Sequence, residues 1–334
     1  MSTTDEPTLA VGAGEAPPPR KLLRLSETTS GRLRLLGKKA RITWRIFRAN
    51  RMGSVGLALL LAFFLMAVFA GQIMWILAHM AGWSSAYGPF DRVAVVGQGT
   101  APSEQHWLGT DIWGYDILAR TIYGSRVSLL VGLVATAVSM GLGTAVGLFS
   151  GYWGGWKDEV LMRVTDVFLV LPWLVLMIVL ATLLPGGPSV AKVVFVIGIT
   201  GWSSTARMVR AQVMSIKERT FVERARAIGA ADYHIVRRHV FPNVFPLVFA
   251  NSILTVALSI LSESTLSFIN LGPNPTQVVT WGNMLEDAVN GHAILNGLYL
   301  WIIVPGMCIV LVVLGFTFVG YALDEIFNPR LRRR

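Results

Sequence analysis

The sequence predicts an all-α membrane protein with six transmembrane helices and with both termini on the cytoplasmic side. First, its mean hydropathy is +0.57 and only 14% of its residues are charged, whereas a soluble domain carries about 25%. Second, residues 54–78, 127–156 and 293–323 contain no Asp, Glu, Lys or Arg, and each run exceeds the roughly 20 residues that cross a bilayer as a helix. Third, the basic residues are concentrated in a few segments.

Three further apolar runs complete the six predicted spans. Residues 167–191 and 240–262 are similar in character to the first three runs, and residues 187–206 form a weaker candidate that Lys192 interrupts. Helices of this length and composition are the expected way to cross a bilayer, because a helix satisfies its own backbone hydrogen bonds.

The distribution of Lys and Arg sets the predicted orientation. Residues 1–52 contain 11 of these side chains, and the predicted cytoplasmic segments together contain 25 of the 29 in the chain. Lys and Arg near helix ends favour the cytoplasmic side. Five or seven spans would place one basic terminus outside, so six spans are predicted. The net charge of +10 therefore reflects orientation, and no nucleic-acid partner is expected.

The predicted segments follow one another along the chain. Residues 41–53 fit an amphipathic helix on the inner leaflet, or they are an orientation signal and nothing more. The full order is a flexible basic cytoplasmic tail at 1–40, this juxtamembrane segment at 41–53, the first transmembrane helix at 54–79, an extracytoplasmic loop at 80–124, a permease-like transmembrane domain at 125–323 that includes cytoplasmic helices at 219–241, and a basic cytoplasmic C-terminus at 324–334.

Glycines spaced four residues apart mark the second predicted span. Gly143, Gly147, Gly151 and Gly155 would lie on one helix face, where small residues let a neighbouring helix approach closely. The pattern predicts a helix bundle and carries no information about function.

The sequence contains few patterns that indicate a nucleotide, metal or catalytic site. No phosphate-binding G-x-x-x-x-G-K-[ST] loop and no H-E-x-x-H motif occurs, and the single Cys308 cannot form a zinc site or an internal disulfide. We therefore expect no catalytic residue, no metal site and no cofactor bound by this chain. A membrane enzyme or a membrane sensor stays as a remote alternative, although no intramembrane protease constellation is present.

Two acidic residues fall in or beside the predicted spans, where a charge is costly. Asp166 follows Arg163 by three residues, so an ion pair along one helix is predicted. Glu263 lies within Ser262–Thr265. From the residues alone, Glu263 lines a water-filled path or hydrogen-bonds a neighbouring helix, and both alternatives stay open.

The long basic loop before residue 240 predicts a helix-turn-helix knob. Thr220 and Glu223 have the spacing of a capping box, which predicts a helix start at Thr220. Gly229 suits the left-handed turn that ends a helix. Asp232 is predicted to cap a second short helix, which Pro242 stops. Such a segment is an ordinary basic loop with local helices, or it is a rigid knob that fits a groove on another protein.

The knob resembles the signature of ABC importer permeases, in which Glu-Ala-Ala is followed by a Gly six residues after the Glu and by a closing apolar-Pro end. The matching residues are Glu223, Ala225, Gly229 and 239–242. Arg224 stands where the pattern has its first Ala, and the residue before Pro242 is Phe rather than Leu.

A second stretch resembles one branch of that family, the C-type subunit of dipeptide and oligopeptide permeases. His106–Asp111 matches the branch motif H-x-L-G-T-D. The branch pattern continues through the residues Gly109, Thr110, Asp111, Gly114, Asp116 and Arg120. The resemblance covers roughly residues 40–334.

The resemblance implies a type I ABC importer permease fold in the cytoplasmic (inner) membrane of a prokaryote. It implies a heterodimer with a homologous permease subunit, two ATPase subunits or one fused ATPase that bind ATP and Mg²⁺, an extracytoplasmic substrate-binding protein, and contact with membrane lipid. Peptide is the implied cargo, with a nickel complex, glutathione or an oligosaccharide as alternatives. The residues implied to couple to the ATPase are Thr220, Glu223, Arg224, Ala225, Ala227, Gly229, Ala230, Asp232, His239 and Pro242.

Overall fold

The computed structural model of the chain describes residues 41, 44–82 and 87–327. The predictions for the tail at 1–40 and for residues 328–334 lie outside the described residues. Within the described part, the regular structure is helical, and the only extended pairings are the isolated bridges Arg92–Tyr115 and Thr110–Asp116. The helices named below belong to one unit, Arg45–Arg334.

The first apolar run folds as two helices rather than one. Helix α1 spans Arg51–Val68 and helix α2 spans Ala70–Met80. The Asn50 side chain caps α1 by accepting a hydrogen bond from the Gly53 amide, which satisfies one of the free donors at a helix start. Phe69 separates the two helices with a φ of −97° and a ψ of 20°, although its amide and carbonyl still bond to Leu65 and Ile73. The predicted span at 54–79 is therefore divided at this residue.

Helix α3 spans Ile117–Trp153 and is 37 residues long. It begins within the segment that the sequence predicted as loop up to residue 124. The Asp116 carboxylate caps α3 by accepting from the Ala119 amide at 2.8 Å. Asp is among the favoured residues at the N-cap, so Asp116 in the sequence indicates where α3 begins.

Helices α4, Gly155–Val170, and α5, Trp173–Leu183, meet at a bend of 97°. The bend falls at Leu171 and Pro172, where Leu171 has extended backbone angles. A residue before proline disfavours the α conformation, which explains the break inside the run predicted as a straight span at 167–191. Helix α6 follows as Val190–Lys217, capped by Ser189.

Close packing of α3 on α6 confirms most of the glycine prediction. A Cβ atom would approach the Trp202 carbonyl oxygen to 2.6 Å at Gly143 and the Ala206 carbonyl oxygen to 2.6 Å at Gly147. Gly151 is equally confined by α6. The prediction is wrong for Gly155, which starts α4 with a φ of +63° and has open space around it.

The remaining helices complete the bundle. The predicted last span at 293–323 starts later than expected, because residues 291–297 form turns. The helices are α7 at Thr220–Ala227, α8 at Asp232–Ile235, a π-helix at Val236–Val240, α9 at Phe241–Phe268, α10 at Trp281–Asn290 and α11 at Leu300–Phe327.

Four helical stretches of the described chain are long and apolar enough to cross a membrane, and the bent α4–α5 pair would make a fifth. The four are Arg51–Val68, Ile117–Trp153, Asp232–Phe268 and Leu300–Ile326. Helix α6, which holds the sixth predicted span at 187–206, is outside this set. Its 28 residues include Lys192, Arg207, Arg210 and Lys217, and these lower its hydropathy. The helical class is therefore confirmed, and the count of six stays a prediction.

Candidate functional site

The knob, which we define as residues 219–242, joins α6 to α9. Its first helix begins at Thr220 as predicted. The predicted capping box is wrong, because the N-cap is Arg219, whose extended backbone precedes the helix, and no side chain caps it. The Arg219 carbonyl accepts from the amides of Val222 and Glu223 at 2.8 and 3.2 Å. Thr220 is already helical and cannot act as the cap.

The turn at Gly229 is formed as the sequence predicted. Gly229 has a φ of +80°, a conformation that side-chain-bearing residues adopt at a cost. Its amide donates to the Arg226 carbonyl at 3.0 Å, and the Ala230 amide donates to the Ala225 carbonyl at 3.1 Å. This paired arrangement is the Schellman motif, and it fixes the direction in which the chain leaves α7.

Asp232 does not cap the second helix, which corrects that prediction. The N-cap of α8 is Ala231, and Asp232 is the first helical residue. Its carboxylate instead accepts a hydrogen bond from the Tyr152 hydroxyl at 2.6 Å. The Lys217 ammonium donates to the Tyr152 carbonyl at 3.2 Å. Two bonds therefore tie the knob and the end of α6 to the end of α3.

Pro242 does not stop the second helix either. The Phe241 amide donates to the Val236 carbonyl five residues back, and α8, the π-helix and α9 form one helical stretch, Asp232–Phe268. A proline removes one backbone donor from a helix. Here the π-helix changes the hydrogen-bond register directly before the proline, so the helix changes register instead of ending.

An apolar seam anchors the knob to the helices beneath it. Val222, Ile235 and Val240 are fully buried. They belong to one cluster with Val209 and Val213 of α6. Burial of such side chains contributes roughly 1.5–3 kcal/mol each, so both halves of the knob are held firmly to the bundle.

The opposite face of the knob is open to its surroundings. Ile228 and Tyr233 are 85% and 70% exposed. Among the residues predicted to couple, Ala225 is buried, and Ala230 and His239 are half-buried. The exposed ones are Thr220, Glu223, Arg224, Ala227, Gly229, Asp232 and Pro242. A rigid protrusion with an exposed apolar tip beside arginines can enter a groove on another protein.

The predicted pair Arg163–Asp166 is wrong, because each of the two residues pairs with a different partner. Arg163 lies 3.7 Å from Glu159, and Asp166 pairs with Arg207 of α6. A second link, which the sequence did not predict, joins Asp158 and Arg210 through two bonds of 2.6 and 2.7 Å. The two links hold α4 against α6.

Glu263 is fully buried in α9 and ties two helices together. Its carboxylate accepts from the Ser267 hydroxyl at 2.7 Å and from the Ser128 hydroxyl of α3 at 3.2 Å. The Ser264 hydroxyl donates at 3.4 Å. Of the two readings that the sequence left open, this geometry favours hydrogen bonding to a neighbouring helix.

The branch motif builds a folded loop over the N-terminus of α3. Gly109 and Gly114 have φ values of +79° and +85°. The Asp111 carboxylate accepts from the amides of Trp113 and Tyr115, each at 2.9 Å. Asp116 lies 2.9 Å from His106, and the Thr110 hydroxyl accepts from the Thr100 amide at 3.0 Å. The side chains of the motif therefore form hydrogen bonds that fix the conformation of this loop.

Arg120 joins the loop to α10. Its guanidinium lies 2.8 Å from both Asp111 and Asp287, and its side chain is 2% exposed. Burial raises the pKa of the Asp111 and Asp287 carboxyls above their ordinary value, and the charge on Arg120 opposes that rise. Asp287 is separated from Arg120 by 167 positions, so one sequence carries no signal for this pair.

Across the described ranges, no three His, Cys, Asp or Glu side chains lie close enough to hold a metal ion. His234 and His239 approach one another with ring centroids 6.2 Å apart. The arrangement of the knob suits binding to another protein, and the buried polar clusters suit structural roles.

Comparison with known proteins adds two matching family models. Residues 143–333 match the family described as the binding-protein-dependent transport system inner membrane component. Residues 40–89 match the N-terminal transmembrane domain of oligopeptide transport permease C. The first match alone covers more than half of the chain.

Individual relatives cover most of the chain. The dipeptide transport system permease protein DppC of Bacillus subtilis is 33% identical over 87% of this chain and 85% of its own length. The oligopeptide transport system permease protein OppC of the same organism is 30% identical over 94% of this chain and 99% of its own length. The glutathione transport system permease protein GsiD of Pectobacterium atrosepticum is 33% identical over 80% of this chain and 87% of its own length.

Proposed function

Because the chain belongs to the family of binding-protein-dependent transport system inner membrane components, in its dipeptide and oligopeptide permease C branch, we propose that it forms half of the translocation pathway of an ATP-driven peptide importer. The observation that carries the proposal is the knob, whose exposed tip and buried base suit the transfer of movement from a partner. Transport is driven by ATP hydrolysis on the partner subunits, and this chain supplies no nucleotide site.

The proposed assembly contains three kinds of protein partner in addition to this chain, within a lipid bilayer. A homologous permease subunit completes the pathway as a heterodimer, and two ATPase subunits, or one fused ATPase, bind the knobs together with their own ATP and Mg²⁺. An extracytoplasmic binding protein delivers the substrate, and lipid surrounds the exposed apolar faces. Val164 and Val167, which are 45% and 59% exposed on α4, supply part of such a face.

The proposed orientation places the knob end in the cytoplasm. Six spans with both termini inside then put α4–α5 and α6 across an inner membrane as two further spans. The arginines of the knob, Arg219, Arg224, Arg226, Arg237 and Arg238, support this orientation, because basic residues favour the cytoplasmic side.

The proposed mechanism is mechanical. ATP binding brings the ATPase subunits together, and each subunit moves the knob that it holds. Since the knob is tied to α3 through the Tyr152 hydroxyl and packs against Val209 and Val213 of α6, its displacement moves the bundle as a whole. The pathway then alternates between outward-facing and inward-facing states.

Di- and oligopeptides are the proposed cargo, in line with the names of the two Bacillus subtilis relatives. Glutathione, itself a small peptide, is the second candidate because a relative at 33% identity is named for its transport. A nickel complex or an oligosaccharide is a more distant alternative. The affinity of the cognate binding protein for peptides and for sugars discriminates among them.

The proposed docking surface is tested by Gly229→Arg in the reconstituted complex. Gly229 has open space around its Cα, so a long charged side chain would project from the knob and block a groove. We expect normal membrane insertion, with uptake reduced at least tenfold. The readouts are the uptake of labelled tri-alanine into proteoliposomes and the co-purification of the ATPase subunits.

Gly297→Arg is the matched control. Gly297 has a φ of +73° and open space, so both substitutions carry the same backbone strain of about 1–2 kcal/mol. Only the Gly229 variant should lose uptake and ATPase binding. If both complexes transported tri-alanine equally, the docking assignment would be wrong.

A further inference from the structure

A cavity of about 410 Å³ lies where α4 bends into α5. Its walls come from α3, the α4–α5 bend, α6 and α9. The volume falls within the range of roughly 300–1,000 Å³ that is usual for sites that bind small molecules. The lining side chains include Ser139, Phe168, Trp173, Thr200, Ser204 and Thr255.

The lining is polar without being charged. Six Ser or Thr residues line the cavity, and no Asp, Glu, Lys, Arg or His is among its lining residues. Hydroxyl groups both donate and accept hydrogen bonds, so they match groups of either kind. A charged ligand group would lose its hydration here without meeting an opposite charge, which is unfavourable.

One lining hydroxyl has no partner in the described part of the chain. Ser139 is 1% exposed, and its Oγ forms no hydrogen bond there. An unsatisfied buried polar group costs about 1–3 kcal/mol. Gly201 of α6 lies beside it, and a Cβ atom at this position would sit 2.9 Å from the Ser139 Oγ. The glycine therefore leaves space next to an unsatisfied hydroxyl.

The shape of the cavity depends on the bend. The indole Nε1 of Trp173 donates to the Thr200 hydroxyl at 3.0 Å, which holds the start of α5 against α6. Phe168 and Trp173 add apolar walls. Val170 also lines the cavity, and its side chain is 81% exposed at the bend, so the cavity reaches the surface of the chain there.

We infer that this cavity is a substrate station that binds the uncharged main-chain amides of a peptide in transit. Peptide N–H and C=O groups are neutral donors and acceptors, and they suit a ring of hydroxyls. Because a main chain is common to all peptides, such a station accepts many side chains. The inference rests on the proposed peptide-import function and deepens it by assigning residues to the path.

A cysteine-protection experiment tests the station. In a Cys308→Ser background, which removes the single native thiol, Ser204→Cys places a thiol in the exposed part of the cavity. Ser215→Cys, exposed on the same helix but outside the cavity, is the control. The complete complex with its binding protein is labelled by a charged methanethiosulfonate reagent, with tri-alanine or maltotriose as probe. We expect tri-alanine to slow labelling at least threefold at residue 204 and to leave residue 215 unaffected.

The outcomes separate the two proposals. Uptake of tri-alanine by the Cys308→Ser parent tests the peptide-import function by itself. If the parent transports tri-alanine but residue 204 gains no protection, the station is refuted and the importer assignment stands. If maltotriose is transported and protects residue 204 while tri-alanine does neither, the peptide cargo is refuted.

A pair of matched threonine substitutions tests the hydroxyl contribution. Thr255 and Thr265 both lie on α9 and both donate to the carbonyl four residues earlier, at 2.9 and 2.8 Å. Only Thr255 lines the cavity. Loss of one neutral hydrogen bond predicts an uptake rate about two- to tenfold lower for Thr255→Val, with Thr265→Val near wild type. Equal rates for the two variants would overturn the assignment of this hydroxyl to the station.

Discussion

Replacement of Arg120 by Met should destabilise the protein strongly, because it removes the cation that two largely buried carboxylates share. In the described structure Arg120 lies 2.8 Å from Asp111 and 2.8 Å from Asp287. The Asp111 side chain is fully buried and that of Asp287 is 14% exposed. Met retains an apolar stem of similar length, so the change removes charge and hydrogen bonds more than volume.

The expected loss can be estimated from the cluster itself. Removal of one partner from a buried ion pair costs about 3–5 kcal/mol. Two features place the expected loss of unfolding free energy near the lower end of this range. Asp111 keeps its bonds from the amides of Trp113 and Tyr115, and Asp287 keeps some contact with solvent because its side chain is 14% exposed. We expect a loss of about 3 kcal/mol, which for a chain of 334 residues corresponds to a fall in Tm of roughly 4 °C.

Intrinsic tryptophan fluorescence on heating in detergent provides the assay. Arg163→Met is the control, because Arg163 and Glu159 form a pair that is more than two-thirds exposed, and such pairs contribute only about 0.3–0.5 kcal/mol. The triple variant Arg120→Met, Asp111→Asn, Asp287→Asn should recover part of the stability, since no uncompensated charge remains. If Arg120→Met lowered Tm no more than Arg163→Met, the cluster would not hold the loop to α10.

Two further substitutions probe the packing of α3 and its tie to the knob. Gly147→Val should prevent close packing of α3 on α6 and lower the free energy of unfolding by at least about 1–3 kcal/mol. Gly141→Val is the control, because its added side chain meets open space. On gel filtration, Gly141→Val should elute as the same monodisperse species as wild type. Tyr152→Phe removes the 2.6 Å bond to Asp232; we expect unchanged ATPase binding but a several-fold lower uptake per ATP hydrolysed. Tyr299→Phe, a change at a 57% exposed side chain, should leave that ratio unchanged, and an equal ratio in both variants would contradict a role for the Tyr152 hydroxyl in coupling.

The sequence predicted the helical class because long uncharged runs leave few alternatives for a chain in a bilayer. It missed the bend between α4 and α5, although Pro172 carried the signal that the residue before it avoids the α conformation. It also missed the break at Phe69, where the nearest glycine, Gly71, lies two residues further on inside α2.

Within the candidate site, the sequence placed the turn at Gly229 correctly because positive φ angles favour glycine. The caps at Thr220 and Asp232 were each misplaced by one residue. A cap motif acts only if its residue precedes the first helical residue, and Thr220 and Asp232 are themselves the first helical residues. The Asp232 carboxylate bonds to Tyr152 of α3 instead, a contact that spacing along the chain does not indicate. Pairings between distant segments, such as Arg120 with Asp287, arise from the three-dimensional arrangement, and spacing along the chain does not contain them.

The absence of a break at Pro242 has a geometric consequence. The stretch Asp232–Phe268 has 37 residues, which corresponds to a rod of about 55 Å at 1.5 Å per residue. Rotating such a rod by one degree about one end displaces the other end by about 1 Å. Glu263 lies near the end remote from the knob. If the second half of the knob tilted by only a few degrees, and the helix turned about its end at Asp232, the Glu263 carboxylate would move by several ångströms. The protein would work as a lever, in which small motions of a motor become large ones at the far side of the membrane.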